Sequence, residues 1–273
     1  MRRMLVAVIL LAGCSSAPKS APDDPTLSRL DHAGDIAFKL EQPDQAAEQY
    51  RAALDRARVR DDAAAIADAG FNWATAELRA GRARDALRIA QDLQAELARR
   101  GIADPAFDLI SATALFRLGE FPAADRMAAG LTGDKDPALA DAGWFLRGLV
   151  ADTTGDRAGL ETAAASLSPA ANAADAAELR SRLAHDRALA LHAADLRRDQ
   201  LDYRGMARAL ALAARFAPST AEAADLYLRA ARSAAGEGDA AQARIWLGQA
   251  RDLAPDADLR TDAETALREL PAP

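Results

Sequence analysis

Along most of the chain, apolar residues recur every three or four positions, the spacing that places them on one face of a helix. The clearest run lies near the C-terminus: Ala231, then Gly238-Asp239, then Ala243, Leu247 and Ala250, then Pro255. Each half is a helical stripe. The Gly-Asp pair between them supplies a left-handed helix end followed by an N-cap, so the run reads as an antiparallel helical hairpin. The same frame recurs upstream. It gives Ala194, Leu201-Asp202-Tyr203, Met206, Leu210, Ala213 and Pro218, and before that Gly148, Gly155-Asp156, Leu160, Ala164 and Leu167. Earlier still come Ala112, Gly119, Ala124, Ala128 and Leu131, then Ala74, Gly81, Ala86, Ala90 and Leu93, and first Gly34, Glu41, Ala46, Tyr50 and Leu54.

Small-residue matches come cheaply in an alanine-rich chain, so the turn glycines matter more. Only 16 glycines exist, yet Gly81, Gly119, Gly155 and Gly238 share one repeat position, five residues before the residue that opens the second helix. A small residue in the first helix, a Gly-Asp turn, a small residue opening the second helix and a terminal proline together resemble the tetratricopeptide repeat. The resemblance implies an all-α, right-handed superhelical solenoid of about six hairpins over residues 27–257, closed by a capping helix and tail at 258–273. Short insertions are expected at 61–66, 101–104 and 175–186. The terminal proline is missing from the first four units, and Leu201 stands where a turn glycine is expected.

The N-terminus has a different pattern. Met1-Arg2-Arg3-Met4 is basic, Leu5–Leu11 is apolar, and Ala12-Gly13 precedes Cys14, the charge–apolar–small order of a secretory signal. The apolar run falls far short of the ~20 residues that span a bilayer. Leu11-Ala12-Gly13-Cys14 resembles the lipobox of bacterial lipoproteins, which implies cleavage after residue 13 and lipidation of Cys14, the only cysteine. Ser15 at the next position implies an outer-membrane anchor facing the periplasm, with inner-membrane anchoring as the alternative. Residues 14–26 are small, polar and proline-punctuated, as expected of an extended tether.

Composition agrees with helices: aromatic residues make up 5 % of the chain, and alanine, the best helix former, dominates. The formal charge is −7, and loss of a leader holding two arginines and no acid takes it to −9. So acidic a surface argues against nucleic acid as a partner. Lysine occurs only at 19, 39 and 135, which reads as a compositional bias.

No catalytic constellation stands out, and neither a cofactor nor a metal is expected. Gly236-Glu237-Gly238-Asp239-Ala240-Ala241 has dinucleotide-fingerprint spacing but follows a helix rather than a strand. His185 and His192 could share a helix face but lack a third ligand. The expected function is interaction. In tetratricopeptide proteins the first helix of each hairpin lines the ligand groove. That carry-over selects Phe38 and Lys39, Phe71 and Arg79, Leu109, Phe116 and Arg117, Phe145, and Arg232. Each phenylalanine is a candidate for either groove or core. The implied partner is a protein or peptide of the cell envelope, in outer-membrane, pilus or secretion, or peptidoglycan assembly. The rival is a small ligand or glycan held within the curve. Trp73, Trp144 and Trp246 are expected against neighbouring helices, which favours the first.

Overall fold

The computed structural model describes residues 24–168 and 172–271. Residues 24–26 of the expected tether instead cap and open the first helix, while Cys14, the expected leader and the rest of that tether lie outside the described residues. Among those residues the chain is all α, with fourteen helices: α1 (Pro25–Lys39), α2 (Pro43–Val59), α3 (Ala63–Arg79), α4 (Ala83–Ala98), α5 (Ala106–Arg117), α6 (Phe121–Leu131), α7 (Pro137–Thr154), α8 (Arg157–Ser166), α9 (Ala173–Ala184), α10 (Arg187–Asp199), α11 (Tyr203–Arg215), α12 (Thr220–Gly236), α13 (Ala240–Leu253) and α14 (Ala257–Glu269). None of them is long and apolar enough to cross a membrane.

Aspartate opens most of these helices. Asp24, Asp62, Asp136, Asp156, Asp186, Asp202, Asp239 and Asp256 each accept from a first-turn backbone N–H, and Ser219 does so for α12. A carboxylate there satisfies a donor the helix cannot, and meets the positive end of the helix dipole. Part of the acidic excess therefore has a structural cause. Gly81, Gly119, Gly155 and Gly238 end their helices with φ between +70° and +80°, as the repeat frame requires. Glu41 (φ +55°) and Leu201 (φ +60°) hold the same conformation in turns that lack glycine, at a cost of about 1–2 kcal/mol each.

Each helix packs on its successor, giving tetratricopeptide-like hairpins, and α3, α5, α7 and α9 also touch in a row. Close approach explains the small residue of the first hairpin. A Cβ on Gly34 would lie 2.5 Å from the Tyr50 ring, so glycine lets α1 and α2 meet. The N-terminal core is bulky, built on Leu54, Ile66, Ile89, Leu93, Leu97 and Phe107. The C-terminal core is mostly alanine from α10 to α13, and α14 covers its end through Ala263, Leu259 and Leu267.

Two expected insertions differ in the structure. The gap at 61–66 shrinks to the turn Asp61-Asp62, because capping by Asp62 starts α3 at Ala63. The segment 175–186 is largely α9, a whole helix docked on α7. Its Leu179 fills the space beside Gly148 that a Cβ would occupy. Alanines and the buried Glu178 make up much of its inner face, which hides its periodicity from a reading based on large apolar residues.

Candidate binding chamber

The row of helices curves until the α1–α2 turn meets the α12–α13 turn, bordering a cavity of about 1260 Å³ that is open to solvent. Its apolar wall comes from Leu109 and Phe116 of α5, Phe145 and Leu149 of α7, and Trp246 of α13. Five arginines, Arg79, Arg117, Arg197, Arg204 and Arg208, complete it.

Four of the five are neutralised by carboxylates. Arg79, at the end of α3, pairs with Glu41 and with Glu237 (3.2 Å), and its guanidinium lies over the Phe38 ring at 5.1 Å. Arg204 pairs with the same Glu41 (3.2 Å) and donates to the Glu237 carbonyl (2.7 Å). Arg208 donates to both carboxylate oxygens of Glu178 (3.1 and 3.2 Å). Arg197 holds Asp175 and Asp202. Arg197 and Arg208 also stand over the Phe145 ring, at 5.8 and 5.6 Å, where its π-face favours a cation. The arginine excess thus has a use: a planar fork bridges two acids, as a lysine ammonium would not.

Glu178 is fully buried, and burial alone would raise its pKa. The charges and hydrogen bonds of Arg208 and Arg182 outweigh that and hold it at about 2. It is the buried anion on which α9, α10 and α11 converge.

Arg117 differs from the other four. Its guanidinium donates to the Leu78 carbonyl, and among the described residues no carboxylate pairs with it. Burial lowers its pKa and repulsion from Arg204, Arg208 and Arg79 adds to that, with Asp239 opposing. An arginine stays protonated regardless, so Arg117 is an unmatched charge beside an apolar wall.

Of the residues selected from sequence, Arg79, Leu109, Phe116, Arg117 and Phe145 line the chamber. Phe38 lies beneath Arg79, against Ala37 and Tyr50. Lys39 is exposed in the last turn of α1 and lies outside the lining. Phe71 packs edge-on to Phe107 at 6.3 Å, within the N-terminal core. Arg232 lies outside the lining and pairs with Asp262 on α14 (3.3 Å). Trp246 corrects its expectation: it touches the C-terminal core and also lines the chamber. The two histidines do not share a helix face, because His185 is the left-handed end of α9 and stacks on Phe216, while His192 sits on α10.

Arg197 lies on α10, a first helix of the repeat frame, whereas Arg204, Arg208 and Trp246 escape that frame for one reason. The extra helix α9 exchanges the layers, so α11 and α13, second helices in the repeat frame, face inward where first helices were expected. Arg204 and Arg208 lie four apart on one face of α11, a signal visible in sequence once that exchange is known.

No family model matches the chain, and no curated protein is significantly similar to it. Among solved structures, the chain is similar to a tetratricopeptide repeat protein from Parabacteroides merdae, with 14 % identity over 90 % of this chain and 100 % of that one and a TM-score of 0.46. It is also similar to the TPR2AB domain of yeast Sti1, solved as a complex with pHSP90, with 18 % identity over 89 % and 97 % of the two chains and a TM-score of 0.36. A thermophilic tetratricopeptide protein of Thermus thermophilus follows, with 16 % identity over 89 % and 99 % and a TM-score of 0.26.

Proposed function

We propose that this chain is a lipid-anchored interaction scaffold of the bacterial cell envelope that takes a segment of a protein partner into its chamber. The observation that carries the reading is Arg117, a guanidinium without a carboxylate in a wall whose other arginines are all paired. An extended or helical segment with apolar side chains and one acidic residue, or a C-terminal carboxylate, complements that wall. Apolar anchors would lie on Phe116, Phe145 and Leu149, with the acid on Arg117. Aromatic residues and arginine are the types that most often dominate binding energy. The anchor rests on Leu11-Ala12-Gly13-Cys14, and outer-membrane placement on Ser15. On this reading the protein is not an enzyme: it holds a partner for assembly machinery.

In-cell photocrosslinking from Thr113 and Leu149, with exposed Arg229 as control, tests the chamber. A partner captured from the first two positions only, and lost on Arg117→Glu with the melting curve retained, is the expected result. Capture that survives Arg117→Glu would move the binding surface elsewhere. For the anchor, Cys14→Ser is expected to abolish labelling by a clickable fatty acid, and undiminished label would remove the lipoprotein reading.

Trp246 favours a second reading, a small ligand or glycan stacked within the chamber. Native mass spectrometry of the protein extracted from its envelope discriminates the two, since that reading requires a small molecule that leaves on Trp246→Ala.

A further inference from the structure

The ends of the array meet at a seam unlike any other junction in the molecule. There the α1–α2 turn touches the α12–α13 turn. A Cβ built on Gly238 would lie 3.4 Å from the Glu41 carbonyl oxygen and 3.5 Å from Glu41 Cβ. Four side chains lock the two turns: Glu41 holds Arg79 and Arg204, and Arg79 also holds Glu237. Each remains about one-fifth exposed.

Elsewhere the array is held by apolar contact. The N-terminal core runs from Leu27 to Leu118, and smaller clusters carry the packing across α4 to α9. The C-terminal core runs from Ala177 to Leu270. No apolar cluster of the described residues joins α1–α3 to α11–α13 directly. The seam therefore rests on these ion pairs, in which Glu41 and Glu237 share one guanidinium. Partly exposed ion pairs are weak and screened by salt, whereas apolar packing is not.

We infer that the array is a gated ring, which opens at the Glu41–Arg79–Arg204–Glu237 clasp and closes there around whatever occupies the chamber. Each helix shifts slightly against its neighbour, and the small displacements add along the array into separation at the seam. The closed ring encloses a bound segment. The open ring admits a continuous polypeptide from the side, which spares the partner from threading a free end. A ligand that touches both walls binds the closed form better and so draws the clasp shut. The gate rests on the proposed function only in taking the chamber as the place where a ligand enters.

Pulsed spin-label distances test it without any ligand. In full-length Cys14→Ser protein, labels on Gln45→Cys and Ala241→Cys flank the seam, and labels on Gln45→Cys and Arg88→Cys stay within the N-terminal hairpins as a control. One short seam distance is expected at low salt. A second, longer population is expected near 1 M salt, where the Debye length is about 3 Å. The same population should appear at low salt with Arg79→Gln and Arg204→Gln, while the control distance and the helical signal stay constant. A single short seam distance under all these conditions would overturn the gate. A single long seam distance at low salt in protein with the clasp intact would overturn the seam itself. The measurement involves no partner capture, so a failed gate and a failed binding site give separate signatures.

Discussion

The N-terminal and C-terminal parts of the array solve the same packing problem with different materials. From α1 to α5 the helices are held apart and together by Leu54, Ile66, Leu93, Leu97 and Phe107, a core of large apolar side chains. From α9 to α13 they approach through Ala190, Ala193, Ala209, Ala213, Ala230 and Ala231, around a buried carboxylate and its arginines. Large side chains stabilise by the apolar area they remove from water. Alanine contributes little area, so the C-terminal part gains more from close backbone approach and from charge that burial has made specific. The difference teaches that one hairpin frame tolerates either material, and both parts still supply arginines to the chamber, Arg79 and Arg117 from the first and Arg197, Arg204 and Arg208 from the second.

The largest expected effects sit at the centre of each core. Phe107→Ala should cost about 3–5 kcal/mol by leaving a cavity. Glu178→Gln should cost a similar ~3–5 kcal/mol, because it leaves Arg182 and Arg208 without their buried partner. Acid separates the two. The folded pKa of Glu178, about 2, lies below its ordinary 4.5. Its contribution is therefore fully present above about pH 4.5 and is lost as pH falls towards 2. Denaturant melts should show the gap between Glu178→Gln and the parent closing over that window, with the gap for Phe107→Ala unchanged. Parallel behaviour would erase the contrast between the cores.

A middle-sized effect tests the alanine packing. Ala231 is fully buried where α12 meets its neighbours, and Ala241 is exposed at the start of α13. Alanine and leucine differ little in helix propensity. Ala231→Leu should cost about 1–3 kcal/mol by overpacking, and Ala241→Leu should stay within about 0.5 kcal/mol. Equal losses would mean that α12 and α13 meet differently.

The smallest effect concerns a turn. Leu201 is left-handed and exposed between α10 and α11, where the N-terminal hairpins use Gly81 and Gly119. Leu201→Gly should raise stability by about 0.5–1 kcal/mol, relief of strain exceeding the added freedom of the unfolded chain. A loss would show that the leucine makes contacts worth more than its strain.

The same comparison marks what could be read from the chain alone. Turn glycines and capping aspartates are local devices, and each appears where the repeat frame puts it. The chamber residues of α3, α5 and α7 were legible because those helices keep the frame's phase. Phe71 and Leu109 are equivalent by spacing, yet Leu109 lines the chamber while Phe71 packs on Phe107 in the N-terminal core. Beyond α7 legibility fails, since α9 carries few large apolar residues to announce it and its presence reverses inner and outer helices. Arg204, Arg208 and Trp246 then belong to the wall, and Arg232 to the outside. Pairing was also hidden: nothing local links Glu41 to Arg204, 163 positions away.

Contact between Glu41 and Gly238 has a consequence for how such a chain can change over generations. An open stack of hairpins can duplicate or delete a unit at little cost, because each unit meets only its neighbours. Here the first turn and the α12–α13 turn must arrive at one point. Deleting or duplicating α5 and α6 would change the span between the two turns, and with it the Glu41–Gly238 contact. Copy number, usually the freest variable of a repeat protein, is fixed in this one by the need to close.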